Sequence, residues 1–223
     1  MSFHSQLGFI TGMSGSNTVL VLDLDETLVH TFTAAPQNSQ LFAAAHYQLG
    51  DNAIGFKRPG LKQFLDFAQN AFTHVGVWTA AEPNYANFIV NAVLVPLGFN
   101  PKFLLTGQNC EWIHDSARQV FVRIKPLKKL WTLPELSWLG ATPSNTLIID
   151  DRAETALANP TNLIQIAEFT ERALFTDNQL ARVKQQLQAW LHRRRPTTAA
   201  HRPRTQTAAW KRPPTLLKPS FYL

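Results

Sequence analysis

Short apolar runs recur along the chain, and each stops at a polar or turn-forming residue. Val19-Leu20-Val21-Leu22, His74-Val75-Gly76-Val77-Trp78, Thr146-Leu147-Ile148-Ile149 and Leu163-Ile164-Gln165-Ile166 have the near-continuous apolar character of strands covered on both faces. Between them the apolar positions change period. Leu61, Phe64, Leu65 and Ala68 repeat at helical spacing, as do Tyr85, Phe88, Ile89, Ala92 and Val93, and again Leu180, Val183, Leu187, Trp190 and Leu191; each set predicts a helix with one apolar face. Lys57-Arg58-Pro59-Gly60 leads into the first of these helices, Pro83 opens the second, and Asp177 suits the N-cap of the third. Strands alternating with helices predict an α/β fold with a mainly parallel central sheet.

The connecting stretches are more mixed. His46-Tyr47-Gln48-Leu49 and Ala53-Ile54-Gly55-Phe56 flank Gly50-Asp51-Asn52 and predict a small β-hairpin insertion. Breaker-rich residues at 11–17 and 34–39 predict loops. From 98 to 124 no helical period emerges, although Phe103-Leu104-Leu105 and Gln119-Val120-Phe121-Val122 suit strands. Lys125-Pro126-Leu127-Lys128-Lys129-Leu130-Trp131 predicts a short helix that Pro134 ends. No internal repeat is present, and no apolar run approaches the ~20 residues of a membrane span.

Charge divides the chain. Of 21 Lys and Arg against 15 Asp and Glu, eight basic residues and no acid fall within 191–223, which leaves 13 basic and 15 acidic residues, a balance of −2, for the rest. The overall charge of +6 is therefore a property of the tail. The expected organisation is an N-terminal loop at 1–16, one folded domain at 17–191, and a basic, proline-rich tail at 192–223. That tail carries Arg193, Arg194, Arg195, Arg202, Arg204, Lys211 and Arg212. Its composition suits a disordered extension, or an arm that lies along nucleic acid or an acidic protein surface. A single cysteine, Cys110, excludes an internal disulfide and suits a reducing, intracellular setting. No activating partner for it is evident, so it reads as a small buried hydrophobe. The absence of Lys and Arg before Lys57 predicts neither a secretory signal nor a mitochondrial transit peptide.

The chemistry gathers at strand ends. Asp23 and Asp25 follow the first strand, Thr79 the second, and Asp150 with Asp151 the third. Residues i and i+2 of an extended chain face the same way, and parallel strands would bring all three ends to one sheet edge, where open α/β sheets bind ligands. At ~4 Å and an effective dielectric of ~20, each pair of like charges costs about 4 kcal/mol, so such a cluster calls for a cation. Mg²⁺ takes hard oxygen ligands and keeps waters that a phosphate can replace. Lys125 would add a further positive charge. These parts suit phosphoryl transfer or hydrolysis. Taken singly, each has a structural alternative: a polar turn at Asp23 and Asp25, a strand-end hydroxyl at Thr79, a solvated basic face at Lys125, a helix cap at Asp150-Asp151.

Together they resemble a family. Asp23-Leu24-Asp25-Glu26-Thr27-Leu28-Val29-His30 is similar to the first motif of the haloacid dehalogenase superfamily and, more narrowly, of the NLI-interacting-factor-like (small CTD phosphatase) family. Lys57-Arg58-Pro59-Gly60, Trp78-Thr79-Ala80-Ala81 with Tyr85-Ala86, Lys125, and Ile148-Ile149-Asp150-Asp151 resemble its later landmarks in the same order. The resemblance implies a Rossmann-like haloacid dehalogenase fold with small β-hairpin insertions and no large cap domain. It implies Mg²⁺-dependent hydrolysis of phosphoserine or phosphothreonine esters in proteins. Asp23 would be nucleophile and metal ligand, and Asp25 the general acid and base, with its backbone carbonyl on the metal. Thr79 and Lys125 would hold the phosphoryl group, Asp151 would complete the metal shell, and Asp150 would support it. His30 is read as structural. The chain departs from the pattern at Gly107, three residues before Cys110, where the family often carries arginine; this bears on substrate preference. Glu82-Pro83-Asn84 is a second departure. The competing expectation is a non-catalytic subunit of a large assembly (a ribonucleoprotein, an organellar complex or a virus particle) docked through its basic tail. A nuclear or cytoplasmic setting is favoured, with an organelle or virus particle left open.

Overall fold

The computed structural model describes residues 17–33, 39–51 and 53–194. The loop at 1–16 and the breaker-rich residues 34–38 therefore lie outside the described residues, as do tail residues Arg195, Arg202, Arg204, Lys211 and Arg212. The apolar runs become the strands of one five-stranded parallel sheet: β1 (Val19–Leu22), β5 (His74–Trp78), β6 (Leu104–Leu105), β9 (Thr146–Asp150) and β10 (Leu163–Gln165). Their order is β10-β9-β1-β5-β6, with β1 at the centre. Leu22 is in register with Val77 on one side and with Ile149 on the other, so three strands run out level with one another.

All four residues of β1 are fully buried because both faces of the sheet are covered. Leu20 and Leu22 enter a core with Leu61, Phe64 and Leu65 of α2 (Leu61–Ala71), Ile89 of α3 (Pro83–Ile89), and Leu180, Val183 and Leu187 of α5 (Gln179–Arg193). Val19 and Val21 enter a second core with Trp78, Leu127, Leu136, Leu139 and Leu130 of α4 (Lys128–Thr132). Each such side chain contributes about 1.5–3 kcal/mol of burial. α3 starts at Pro83, then continues as a π turn over Val90–Leu94 and a 3₁₀ turn over Val95–Leu97. Pro96, which lacks a donor N–H, and Gly98, at φ 85°, end it. α5 extends to Arg193, and the Arg194 guanidinium lies over the Trp190 ring, 4.3 Å from its centroid, so these two arginines close a helix.

Two small antiparallel sheets sit at the carboxyl edge. The first has order β2-β4-β3, from β2 (Val29–Thr33), β3 (Tyr47–Leu49) and β4 (Ala53–Lys57), with the short α1 (Ser39–Ala44) between β2 and β3. The predicted hairpin is thus the β3–β4 part of a three-stranded insertion. Gly55 is obligatory there, since a Cβ would fall 2.0 Å from a ring carbon of Tyr47. The second pairs β7 (Glu111–Asp115) with β8 (Val120–Ile124). Its first strand was not apparent in the sequence because Glu111, His114 and Asp115 leave only Trp112 and Ile113 apolar, with no apolar run and no alternation. No large cap domain occurs among the described residues, and none of their helices is long and apolar enough to cross a membrane.

Candidate active site

The chain leaves β1 through a tight turn that fixes both aspartates. The Leu24 carbonyl accepts from the N–H groups of Leu28 and Val29, and Glu26 takes a left-handed conformation at φ 58°. That strained residue is tied down at its own carbonyl, which accepts from Phe169 N–H at 2.7 Å and from Arg58 Nη1 at 3.2 Å. Arg58 also donates to the carbonyls of Thr27 and Ala167 and, through Nε and Nη2, to both oxygens of Asp177 at 2.8 Å. Lys57-Arg58-Pro59-Gly60 therefore acts as a brace for the β1 exit as well as a lead into α2.

Asp23 is 4% exposed, and its Oδ1 accepts from Lys125 Nζ at 2.5 Å. The same ammonium donates to Asp150 Oδ2 at 2.8 Å. Thr27 Oγ1 lies 3.3 Å from Asp23 Oδ2 and 3.1 Å from Asp151 Oδ1, linking the ends of β1 and β9. The backbone of Lys125 is held in turn by buried Asn159, which donates to the Lys125 carbonyl at 2.7 Å and accepts from Leu127 N–H at 2.9 Å. Asp25 has a different setting. Tyr85 donates its hydroxyl to Asp25 Oδ1, and Thr79 Oγ1 lies 3.4 Å from Asp25 Oδ2. Thr31 Oγ1 lies 2.7 Å from the hydroxyls of both Tyr85 and Tyr47, so a row of hydroxyls runs from Asp25 into the three-stranded insertion.

The electrostatics follow from this grouping. Burial works against the Lys125 charge, but Asp23 and Asp150 outweigh it and hold the ammonium above its ordinary pKa. For Asp23, burial together with the negative charges of Asp150 and Asp151 exceeds the pull of Lys125, and its pKa is raised well above the ordinary value. Asp151 is raised by burial and by Asp150. One ammonium does not balance three carboxylates. Asp23, Asp150 and Asp151 each offer an oxygen, all within 4.8 Å of one another, a hard-oxygen set that fits a divalent cation. Asp25 is raised by burial, against the hydrogen bond from Tyr85.

The strand-end residues singled out in the sequence thus come together at one sheet edge, in two subgroups: Asp23, Lys125, Asp150 and Asp151, and Asp25 with Thr79. Among the supporting residues, Thr27 and Tyr85 stand within the motif resemblances but without a role assigned from the sequence, and Asn159 had no sequence signal of its own. Cys110 is half-buried, with burial pushing its thiol up, and its Sγ lies near the carbonyls of Thr79 and Thr106. His30 Nδ1 lies 3.1 Å from Glu26 Oε1 and stacks on Phe32, a local structural contact. At Gly107 a Cβ would lie 2.5 Å from the Ala80 carbonyl oxygen and 2.8 Å from Arg123 Nη1; Arg123 fills the space that a side chain at 107 would need.

A central β1 ending in paired aspartates, flanked by Thr79 and by Lys125 with Asp150-Asp151, on a β10-β9-β1-β5-β6 sheet, defines a haloacid dehalogenase-type phosphatase fold. Comparison narrows this further. The chain belongs to the NLI interacting factor-like phosphatase family, whose profile matches residues 18–196. It is 30% identical over 186 residues to the putative CTD phosphatase-like protein 355R of Invertebrate iridescent virus 6, covering 78% of this chain and 98% of that one. It is 25% identical over 186 residues to the 355R protein of Invertebrate iridescent virus 3, covering 77% and 96%. Among solved structures, the fission yeast RNA polymerase II CTD phosphatase Fcp1 bound to beryllium fluoride is similar, with TM-score 0.48 and 18% identity. That match covers 79% of this chain and 51% of the Fcp1 chain, so this chain spans about half the length of that structure.

Proposed function

We propose that this chain is a Mg²⁺-dependent phosphatase that hydrolyses phosphoserine or phosphothreonine esters in polypeptides through an aspartyl-phosphate on Asp23. The observation that carries this reading is the sharing of one buried ammonium, Lys125, between Asp23 at 2.5 Å and Asp150 at 2.8 Å, beside a separately held Asp25. A carboxylate oxygen of Asp23 attacks phosphorus as the bond to the seryl or threonyl oxygen breaks, and Asp25 protonates that leaving oxygen. Asp25 then takes a proton from the water that attacks the aspartyl-phosphate, which releases phosphate and regenerates Asp23. Proton transfer of this kind is worth ~10²–10⁴ in rate. Lys125 fixes Asp23 and offsets charge developing on the phosphoryl oxygens, while Thr79 donates to them. Asp23, Asp151 and the backbone carbonyl of Asp25 would hold Mg²⁺, with Asp150 supporting them; bound Mg²⁺ supplies positive charge beside the phosphoryl group.

A polypeptide substrate is supported by the lack of a large cap among the described residues and by the CTD phosphatase-like description of the viral relatives. A purely structural subunit would have no need of a buried Lys125 held by two acids, so the scaffold reading is disfavoured. The test is hydrolysis of a chromogenic aryl phosphate with and without Mg²⁺, comparing wild type with Asp23→Asn. Metal-dependent turnover lost in the variant is the expected result. Absence of turnover from folded wild-type protein would reject the enzyme.

A further inference from the structure

The β7–β8 hairpin presents one face outward. Its register pairs Trp112 with Arg123 and His114 with Phe121, so these four side chains share a face. The opposite face turns Val122 and Ile124 into the protein. Trp112 is 62% exposed and Phe121 70%, an unusual cost for two large aromatics on a domain of this size unless something covers them. Arg123 lies 4.9 Å from the Trp112 ring centroid, and its Nη1 donates to the Ala80 carbonyl at 2.7 Å. No carboxylate among the described residues pairs with it. Its remaining donors are thus free for a ligand while its plane is already braced, which lowers the ordering cost of a further bond.

The position of this guanidinium decides what it can meet. Ala80 directly follows Thr79, and Arg123 precedes Lys125 by two residues along the same extended segment. Lys125 turns inward to Asp23 and Asp150 while Arg123 turns to the Ala80 carbonyl beside Thr79, so the guanidinium borders the site without entering it. Gly107 leaves room for this contact, since a Cβ there would fall 2.8 Å from Arg123 Nη1 and 2.5 Å from the Ala80 carbonyl oxygen. Resting on the phosphatase reading above, we infer that Arg123, braced by Trp112, is a specificity-determining residue that receives a second anionic side chain, phosphorylated or acidic, within a few residues of the phosphate being cleaved. The guanidinium can grip such a group with two parallel N–H donors, and the exposed aromatics would lie along the intervening peptide.

The test uses the full chain and three otherwise identical peptides: singly phosphorylated, doubly phosphorylated at a spacing of two or three residues, and singly phosphorylated with aspartate at the second position. Binding is measured on Asp23→Asn by anisotropy of the labelled peptides, and kcat/KM on the Asp23 protein. The doubly phosphorylated peptide is expected to be favoured roughly tenfold, the size of one charge-assisted hydrogen bond. Arg123→Ala removes the preference, Arg123→Lys restores only part of it, and Trp112→Ala reduces it. Preference for the aspartate peptide as well assigns the site to carboxylates and phosphates alike; preference for the second phosphate alone restricts it to phosphates. Equal binding of all three peptides by Asp23→Asn, or a preference that survives Arg123→Ala, overturns the inference. Failure of aryl phosphate turnover would instead reject the phosphatase reading, and peptide binding to Asp23→Asn would still decide the role of Arg123.

Discussion

Replacing Arg58 with Met should cost the fold several kcal/mol and distort the active site together with it. The Arg58 side chain is fully buried and that of Asp177 is 6% exposed. Arg58→Met leaves the Asp177 carboxylate with the Gln179 N–H at 2.9 Å as its hydrogen-bond donor, and orphans the Arg58 contacts to the carbonyls of Glu26, Thr27 and Ala167. Breaking a buried ion pair by removing one partner costs about 3–5 kcal/mol, against a total stability of ~5–15 kcal/mol. With a urea m-value of ~2 kcal/mol/M, the unfolding midpoint should fall by about 2 M. The pH dependence gives the same pair a second signature. Burial alone would raise the Asp177 pKa, but the hydrogen bonds from Arg58 and Gln179 and the charges of Arg58 and Arg182 outweigh it and hold it below the ordinary value. A depressed carboxylate contributes its stability above the unfolded-state pKa of ~3.9 and loses it as pH falls through the lower folded-state pKa. The gap between wild type and Arg58→Met should therefore narrow on acidification below about pH 4. Urea titrations at neutral and acid pH measure both effects. A midpoint within about 0.3 M of wild type, or a gap that does not change with pH, would refute the reasoning.

Tyr85→Phe removes the hydroxyl that donates to Asp25 and lies 2.7 Å from Thr31. It should lower kcat roughly tenfold with little change in KM, as loss of one hydrogen bond to a charged group predicts; an unchanged kcat in steady-state assays counts against a positioning role. Mg²⁺ at ~100 times its Kd should add about 2.7 kcal/mol of stability, seen as a higher thermal midpoint. Asp151→Asn should reduce that gain, because Asp151 belongs to the one three-acid cluster found among the described residues. An equal gain in both proteins would place the ion elsewhere.

The sheet and its acid edge were readable because their signals are local. β1 and β9 are continuous apolar runs that stop at aspartates, and parallel pairing alone brings those ends together. The longer helices were readable from their apolar faces. What stayed hidden depends on contacts between distant segments. Nothing in Thr31 or Tyr47 suggests that they continue a row of hydroxyls from Asp25, since that row exists only once β2 and β3 flank β4. β7 was missed because only Trp112 and Ile113 in it are apolar, so no alternation of apolar and polar residues marks it. Gly107 reads as a departure from the arginine the family often carries; in the fold a Cβ there would press on the Ala80 carbonyl oxygen and on Arg123 Nη1, which reaches in from β8.

The separation of Asp25 from the other acids gives the proposed chemistry a physical basis. Asp23 and Asp150 share one ammonium with Asp151 close by, and together they carry excess negative charge that favours a cation. Asp25 is held by the hydroxyls of Tyr85 and Thr79. Burial raises its pKa, and the Tyr85 hydrogen bond only partly offsets this. A general acid must carry a proton at the moment of bond cleavage and yield it cheaply, which a carboxyl among neutral donors does better than one bound to an ammonium or a metal. Had Asp25 shared Lys125 with Asp23, its proton would be harder to keep. In the proposed chemistry, Asp25 therefore takes its hydrogen bonds from the hydroxyls of Tyr85 and Thr79, whereas Asp23, two residues away, takes one from Lys125.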